Sequence, residues 1–383
     1  MKKTKSKKLY ATRTVKLCCF FLAVLLTVGI LQDFVLRRLD QNSIRLQGFY
    51  LEDQDTLDVV FLGASEVYTG IAAGRAYDKY GFTSYPFASE SITADGTMLA
   101  LKEILRTQNP QMIMIEINPY LYGFDTNESH EAHIRKLVDN IPLNMNKIEY
   151  ISNNVPVDEQ REYYMPIIKY HGLWTDVIKN GRRIVSKIKQ DLRGTSYLKG
   201  FRTTTTIFTP DSAILNDKLA AENGTLELHP TLEKKFRDLL QFCRDKDLNV
   251  VFMRTPHMVY KSTYNRVKRA NRAGEIIAEY GFDYINIERD FDKTGIDLKT
   301  DFYNYDHMNI YGTVKLTDYV CDILVNKYGI EGKTLSSKDK AEWEKAAKCF
   351  RQLYKYCDYL IQEKHEKIQL EEDINTLSAI SKY

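Results

Sequence analysis

The sequence has few cysteines, and none of them is arranged for metal binding. Six occur among 383 residues, with no CxxC pair and no histidine at ligand spacing from any of them. We therefore expect no zinc site and no other bound metal. Cys349 and Cys357 lie eight residues apart on a predicted helix, too far to bridge each other. A disulfide framework is not indicated.

Basic stripes interleaved with aromatic residues, internal repeats and low-complexity tracts are also lacking. The formal net charge is only +3, and much of the basic excess lies in the first residues. Nucleic acid is therefore not the expected partner. Hydrophobic residues make up 44% and charged residues 27% of the chain, which is ordinary for a globular protein and excludes disordered and collagen-like classes. We expect no cofactor.

The one long apolar run lies near the N-terminus. Residues 1–16 carry seven Lys or Arg and no acid, and Leu17 to Gln32 follows without a charge. A helix of roughly 17–20 residues spans a bilayer, so we predict a transmembrane anchor over 17–36, with Asp33 at the interface. A cleaved signal peptide is the alternative, but no small-x-small cleavage site follows the apolar core.

The charge pattern around this run predicts its orientation. Basic residues are retained on the cytoplasmic side, so residues 1–16 should form a cytoplasmic segment. The rest of the chain would then be extracellular, beginning with a polar stalk over 37–55. The predicted location is the cell membrane, crossed once.

Short β-branched runs alternate with helical patterns between residues 56 and 330. Strands of this kind, separated by helices, predict an α/β domain with a parallel, doubly wound sheet. The predicted strands are 56–63, 111–118, 249–256 and 282–287. The predicted helices are 98–108, 232–247, 262–281 and 311–329.

Two regions depart from this alternation. Residues 120–230 are aromatic and polar, and are interpreted as an insertion. Residues 331–383 are charge-rich with an apolar stripe at helical spacing, which predicts an amphipathic extension docked on its own domain rather than a dimerising coiled coil. The insertion contains four aromatic residues with two possible roles, a wall that stacks on sugars or a small core of the insertion itself, and we favour the core. These residues are Tyr163, Tyr164, His171 and Trp174.

Candidate catalytic residues follow the first predicted strand and precede the last predicted helix. Ser65 comes directly after Gly63-Ala64, where the chain must turn sharply, and His307 follows 242 residues later. Each alone has a plain alternative, a helix cap for the serine and a capping or packing role for the histidine. In a doubly wound fold, however, loops at the carboxyl ends of the strands meet at one edge. The pair predicts a nucleophile with its general base.

Several segments resemble a known family. "FLGASEVYTGI", "DFYNYDHMNIYG" and "YHGLW" are similar to motifs of SGNH (GDSL-like) hydrolases, in the membrane-anchored Gram-positive branch related to the teichoic-acid D-alanylation D protein. The likeness covers about residues 55–330. It implies a three-layer αβα sandwich with a flavodoxin-like sheet and a Ser-His-Asp triad. It also implies O-acyl esterase or transferase activity on acylated cell-envelope glycopolymers or an acyl carrier, beside a membrane-bound O-acyltransferase.

The sequence departs from this family at the triad acid. Asn304 stands three residues before His307, where the family has Asp. An amide cannot stabilise an imidazolium as a carboxylate does, and it can favour the wrong tautomer. Asp306 and Asp301 are nearby substitutes, of which we favour Asp306; its plain alternative is a helix cap.

The oxyanion-hole motifs are degenerate as well. Ala88-Ser89 and Asn118 are the candidate donors, beside the backbone of Ser65, although Asn118 could equally be a turn residue. His257 also follows a predicted strand, and a loop role is favoured over substrate contact. Because the triad is incomplete, a second hypothesis stays open: a catalytically weak or inactive accessory subunit of the acyltransferase system. A glycan-binding module that uses the aromatic insertion is a third.

Overall fold

A computed structural model of the protein describes residues 2–34, 41–126, 131–170, 172 and 181–383. Helix α1 covers Lys2–Phe34. Within the described residues, one stretch is long and apolar enough to cross a membrane, Thr12–Ile30 in α1, with a mean hydropathy of 1.9 and none of it buried. The last residues of the predicted anchor, 35–36, lie outside the described residues, as do His171 and Trp174.

A five-stranded parallel sheet forms the centre of the domain. Its strands are β1 (Val59–Gly63), β2 (Ser84–Ala88), β3 (Met112–Glu116), β5 (Val250–Arg254) and β6 (Asp283–Asn286). They lie in the order β2-β1-β3-β5-β6, and every pair is parallel. The prediction of an α/β domain with a parallel sheet is confirmed. β2 lies on one side of β1, and the strands that follow it along the chain lie on the other side, beginning with β3. In sheets of this kind a crevice opens where the strand order reverses, here between the carboxyl ends of β1 and β3.

Helices flank this sheet, and two short strands form a separate antiparallel pair. The helices on the central part of the chain are α3 (Ser65–Gly70), α4 (Ala73–Tyr80), α5 (Ala94–Thr107), α11 (Pro230–Asp245), α12 (Tyr264–Glu279) and α13 (Ile310–Tyr328). The antiparallel pair is β4 (Thr203–Thr204) with β7 (Gln369–Leu370). Apolar residues of the strands and helices fill cores on both faces of the sheet.

The polar segment after the membrane-length helix is not the stalk predicted over 37–55. Helix α2 (Gln41–Phe49) lies there, with Asn42 to Phe49 buried. The guanidinium of Arg45 lies 3.9 Å from the ring centre of Tyr68, and the Tyr85 hydroxyl donates to the Arg45 carbonyl. These tertiary contacts hold α2 against the domain. The domain therefore begins within a few residues of α1.

The region 120–230 contains five α-helices among its described residues, and most of its buried apolar side chains join the core on one face of the sheet. Its helices are α6 (Glu131–Val138), α7 (Met145–Asn154), α8 (Gln160–Tyr164), α9 (Pro166–Tyr170) and α10 (Gly181–Arg193). The ring of Tyr163 is buried, with the guanidinium of Arg135 3.8 Å from its centre. Tyr164 packs on the main core. Both tyrosines therefore contribute to the main core rather than to a sugar-stacking wall.

The C-terminal residues contain α14 (Ser337–Tyr359) and α15 (Ile374–Ile380). Helix α14 packs along α4 so closely that a Cβ on Gly74 would lie 2.9 Å from the Ala346 carbonyl oxygen. Trp343, Phe350 and Cys357 on its apolar stripe are buried in this contact. The extension thus docks on its own chain.

Candidate active site

The serine lies on a sharp turn at the carboxyl end of β1. Gly63 ends the strand, and a Cβ there would approach Val67 to 2.6 Å and the Cβ of Glu116 to 2.8 Å. Only glycine therefore lets β1, α3 and β3 come together at this point. Ala64 is still extended, and Ser65 is the first residue of α3. The Ser65 side chain is partly exposed at this turn.

His307 reaches this serine from the other end of the domain. Its Nε2 lies 2.7 Å from the Ser65 Oγ, so the predicted pair is brought together. The loop is held by an isolated antiparallel bridge between Phe302 and Met308. The side chain of Asn309 then caps α13 by accepting from the backbone N–H groups of Tyr311 and Gly312. The histidine thus stands on a short, pinned loop at the mouth of a helix.

Asn304 occupies the position of the triad acid. Its Oδ1 lies 2.8 Å from Nδ1 of His307 and accepts the backbone N–H of Asp306 at 3.0 Å. Since a backbone N–H can only donate, the atom that faces it is the amide oxygen, and Nδ1 of the histidine must carry the hydrogen. Nε2 is then free to accept the proton of Ser65. The amide therefore holds the productive tautomer, contrary to the expectation that it favours the wrong one.

The structure places neither predicted substitute carboxylate against Nδ1. Asp306 meets Asn304 through its backbone N–H and lines the cavity beside the site. Asp301 is buried, where its carboxylate pairs with Lys315 at 2.7 Å. The choice of Asp306 as the residue that orients His307 is corrected to Asn304, because the turn brings the backbone of Asp306, not its side chain, to that point.

The oxyanion candidates divide into two groups. Asn118 lies just beyond β3 and lines the cavity; its Nδ2 donates to Oε1 of Glu66 at 2.5 Å, which leaves the second amide hydrogen for a ligand. The backbone N–H of Ser89 instead donates to the Gly63 carbonyl, and neither Ala88 nor Ser89 lines the cavity. Ser91 takes that place, in a left-handed conformation with φ 51°. That backbone angle could not be read from the sequence.

A cavity of about 330 Å³ opens next to the serine. Its lining combines apolar side chains with polar and charged ones. Such a mixture suits a small group held by its apolar part and oriented by a few polar contacts. The lining residues are Ala64, Ser65, Glu66, Ser91, Ile92, Asn118, Pro119, Tyr122, Phe124, Thr126, His133, Arg266, Asp306 and His307.

Directly behind the serine lies a buried ionic cluster. Arg254 is its centre: Nη1 donates to Oδ1 of Asn118 at 2.7 Å and lies 3.4 Å from Glu116, and Nη2 lies 3.2 Å from Oε1 of Glu288. His257 lies between two of the carboxylates, 3.0 Å from Glu288 at Nδ1 and 3.6 Å from Glu66 at Nε2. Its side chain is 3% exposed, so His257, which lies in the loop after β5 as predicted, is a buried member of the cluster.

The contacts within the cluster set its charges. Burial raises the pKa of Glu116, which Arg254 only partly offsets, to about 7. Burial would also raise the pKa of Glu66, but the contact with His257 and the charges of His307 and His257 outweigh it and lower that pKa to about 2. Burial lowers the pKa of His307, against the opposing influence of Glu66 and then Asp306. His307 therefore stays neutral, and able to accept a proton, at a lower pH than an ordinary histidine does.

The protonation of His257 should make stability depend on pH. Burial and then Arg254 lower its pKa, but Glu288 and Glu66 outweigh them and raise it to about 9. The stabilisation is complete below the ordinary histidine pKa near 6.5 and is lost as the pH rises through 9. We expect the free energy of unfolding to fall by on the order of 2 kcal/mol between these pH values.

Denaturant titrations of the full chain at pH 6.5, 8 and 9.5 measure this dependence. The His257→Gln variant should show a flatter profile over the same range, since it has no imidazolium to lose. Parallel profiles in the two proteins would contradict the assigned role of His257.

Sequence reasoning missed Arg254, Glu116 and Glu288. The signal was present, because each is a charged residue at or just after the end of a buried strand. Neighbouring parallel strands bring such positions to one edge: Glu116 pairs in register with Met253, and Arg254 with Asn286. Charges that end apolar strands on adjacent strands predict a buried ionic site.

No protein-family model matches the chain, and no curated protein is detectably similar to it in sequence.

Proposed function

We propose that the protein is a serine esterase or O-acyltransferase that acts on acyl groups of a cell-envelope glycopolymer. The observation that carries the proposal is the 2.7 Å contact between the Ser65 Oγ and Nε2 of His307, with Nδ1 of the same ring fixed by Asn304. A hydroxyl, an oriented base and a cavity at the carboxyl ends of parallel strands are the parts that acyl transfer requires. The order of the strands also agrees with a three-layer SGNH-type sandwich.

The proposed reaction has two halves that share one base. The Ser65 oxygen attacks the acyl carbonyl while its proton passes to Nε2 of His307. The second hydrogen of the Asn118 amide and the backbone N–H of Ser65 stabilise the oxyanion. Collapse of this intermediate breaks the ester bond, and His307 gives the proton to the departing alkoxide oxygen. Water or a sugar hydroxyl then gives its proton to His307 and attacks the carbonyl of acyl-Ser65. The bond between the acyl group and the Ser65 oxygen breaks, and His307 returns the proton to that oxygen, which completes hydrolysis or transfer.

The N-terminal helix supports a place for this chemistry at the outer face of the membrane. Thr12–Ile30 could serve as a single-pass anchor with the basic N-terminus in the cytoplasm. Because α2 is docked on the domain from residue 42 onward, the chain between anchor and domain is short. We propose that this holds the site close to the bilayer, where a membrane-bound O-acyltransferase could hand over acyl groups.

An active-site probe on the full chain tests the proposed function. A fluorophosphonate should label the purified protein, and Ser65→Ala should abolish the labelling because no other hydroxyl contacts His307 at hydrogen-bond distance among the described residues. Ser152→Ala is the matched control, since this serine is exposed on α7 and bonds only to its own helix. Equal labelling of wild type and Ser65→Ala would end the proposal.

The alternative of an inactive accessory subunit is favoured by one observation, the amide at Asn304. Asn304→Asp distinguishes the two. In a weak enzyme it should raise the labelling rate about tenfold or more, because a carboxylate stabilises the imidazolium that forms. In a pure scaffold the reactivity of Ser65 towards the probe should stay at the background rate.

A further inference from the structure

The carboxylate of Glu66 lies beside the reacting atoms, yet the reaction described above assigns it no step. Its Oε2 is 3.5 Å from the Ser65 Oγ, which in turn is 2.7 Å from Nε2 of His307. The Glu66 residue is only 6% exposed and lines the cavity. An ionised group in such a place is expensive to bury, and its presence calls for a physical reason.

Two contacts on the far side keep this carboxylate charged and in place. Nδ2 of Asn118 donates to Oε1 at 2.5 Å, and Nε2 of His257 lies 3.6 Å from the same oxygen. Arg254 secures Asn118 from behind through a 2.7 Å bond. One carboxylate oxygen is therefore held by the buried cluster, and the other faces the serine. Burial opposes ionisation, but the contact with His257 and the charges of His307 and His257 outweigh it and hold the Glu66 pKa at about 2, so the group is an anion at every pH where His307 can act as a base.

Proton transfer from Ser65 to His307 requires a negative charge near the imidazole ring. When Ser65 transfers its proton, His307 becomes an imidazolium, and its Nδ1 partner Asn304 is a neutral amide. In a buried site of low dielectric, an uncompensated cation raises the barrier. Asp306 is partly exposed, so solvent screens its charge, whereas Glu66 is buried next to the Nε2 side of the ring.

We propose that Glu66 supplies, from the serine side of His307, the negative charge that a triad carboxylate supplies from the Nδ1 side. The inference rests on the proposed acyl-transfer function. Asn304 then fixes the tautomer, and Glu66 stabilises the protonated ring. The two tasks of a triad acid are thus divided between Asn304, in the loop before α13, and Glu66, in the first turn of α3.

Glu66→Gln in the full chain tests this division. It retains the size of the side chain and one oxygen that can accept from Asn118, while removing the charge. We expect the second-order rate of fluorophosphonate labelling to fall about tenfold, and the acidic limb of its pH profile to move down by about one unit, since loss of an adjacent anion lowers the pKa of the base. A role confined to folding would not move that limb.

Asp306→Asn is the matched control, because it removes a second carboxylate from the same cavity. We expect a smaller loss, about threefold or less, since a partly exposed charge is screened. Glu66→Asp retains the charge at a greater distance, so its labelling rate should lie between those of wild type and Glu66→Gln. If Glu66→Gln does not fold, the comparison of Glu66→Asp with wild type still tests the proposal. An equal effect of Asp306→Asn and Glu66→Gln on rate and pH limb would overturn the assignment.

A double-mutant cycle with Asn304→Asp makes the test sharper. Once a carboxylate faces Nδ1, the charge of Glu66 is partly redundant, so the penalty of Glu66→Gln should shrink from about tenfold to about twofold. An undiminished penalty would refute the proposed division of tasks. If wild type shows no labelling that depends on Ser65, the proposed function itself fails; if labelling depends on Ser65 but not on Glu66, only this inference fails.

Discussion

Replacing His307 with glutamine should lower kcat/KM for an activated aryl ester by about 10⁴-fold or more. A serine hydroxyl is a weak nucleophile unless a base at hydrogen-bond distance takes its proton, and in the proposed function that base is Nε2 of His307, 2.7 Å from the Ser65 Oγ. Glutamine can accept a hydrogen bond but cannot take the proton. The neighbouring Glu66, at 3.5 Å and with a pKa of about 2, is too weak a base to replace it.

The stability of this variant should be close to that of wild type, which separates loss of chemistry from loss of folding. His307 is partly exposed and stacks loosely on Tyr303, with ring centres 5.3 Å apart. His365→Gln is the matched control, because that histidine is exposed near the C-terminus and should retain full activity. Retention of more than about a tenth of the wild-type rate by His307→Gln would contradict its role as the base.

The sheet was predictable where the strands were apolar and uninterrupted. β1, β3, β5 and β6 all lie within predicted strands. β2 was missed because it has five residues with Pro86 in the middle, a residue that argues against a strand in the centre of a sheet. Its position explains the exception, since β2 is an edge strand that pairs only with β1.

Helix α2 was missed for a different reason. Its sequence, QNSIRLQGF, is polar and has no clear apolar face, so local patterning predicts a stalk. Its burial depends on partners far along the chain: the amide of Gln190 donates to the carbonyl of Ile44, and Gln47 donates to Asn140. No single-sequence pattern reports contacts of this range.

The contact between Ser65 and His307 was predictable because it follows from the topology of the sheet, whereas the residue that orients His307 was not. Ser65 and His307 lie in loops that a doubly wound sheet must bring to one edge. The choice between Asn304 and Asp306 depends on which of two nearby side chains a tight turn presents to the ring. That turn is fixed by the bond from the Asp306 backbone N–H to Oδ1 of Asn304, a detail of backbone geometry that composition does not encode.

The second large effect is expected at Arg254. Arg254→Met should lower the free energy of unfolding at pH 8 by about 3–5 kcal/mol, because it leaves the buried carboxylates without their central cation. The arginine side chain is 2% exposed, and those of Glu116 and Glu288 are fully buried. Methionine is similar in length and apolar, so the loss reports mainly on charge. Denaturant titration of the full chain measures it.

The pH dependence of this loss identifies its origin. Glu116, with a pKa of about 7, is neutral at pH 5, so the cluster then carries one negative charge fewer and the penalty of Arg254→Met should be smaller than at pH 8. Arg75→Met is the matched control. It breaks a two-pronged pair with Asp318 whose side chains are 28% and 21% exposed, and pairs of that kind contribute about 1 kcal/mol or less. Equal losses for the two arginines, or a loss at Arg254 that does not change between pH 5 and pH 8, would mean that Glu116 and Glu288 are already neutral and that Arg254 does not stabilise the fold through their charges.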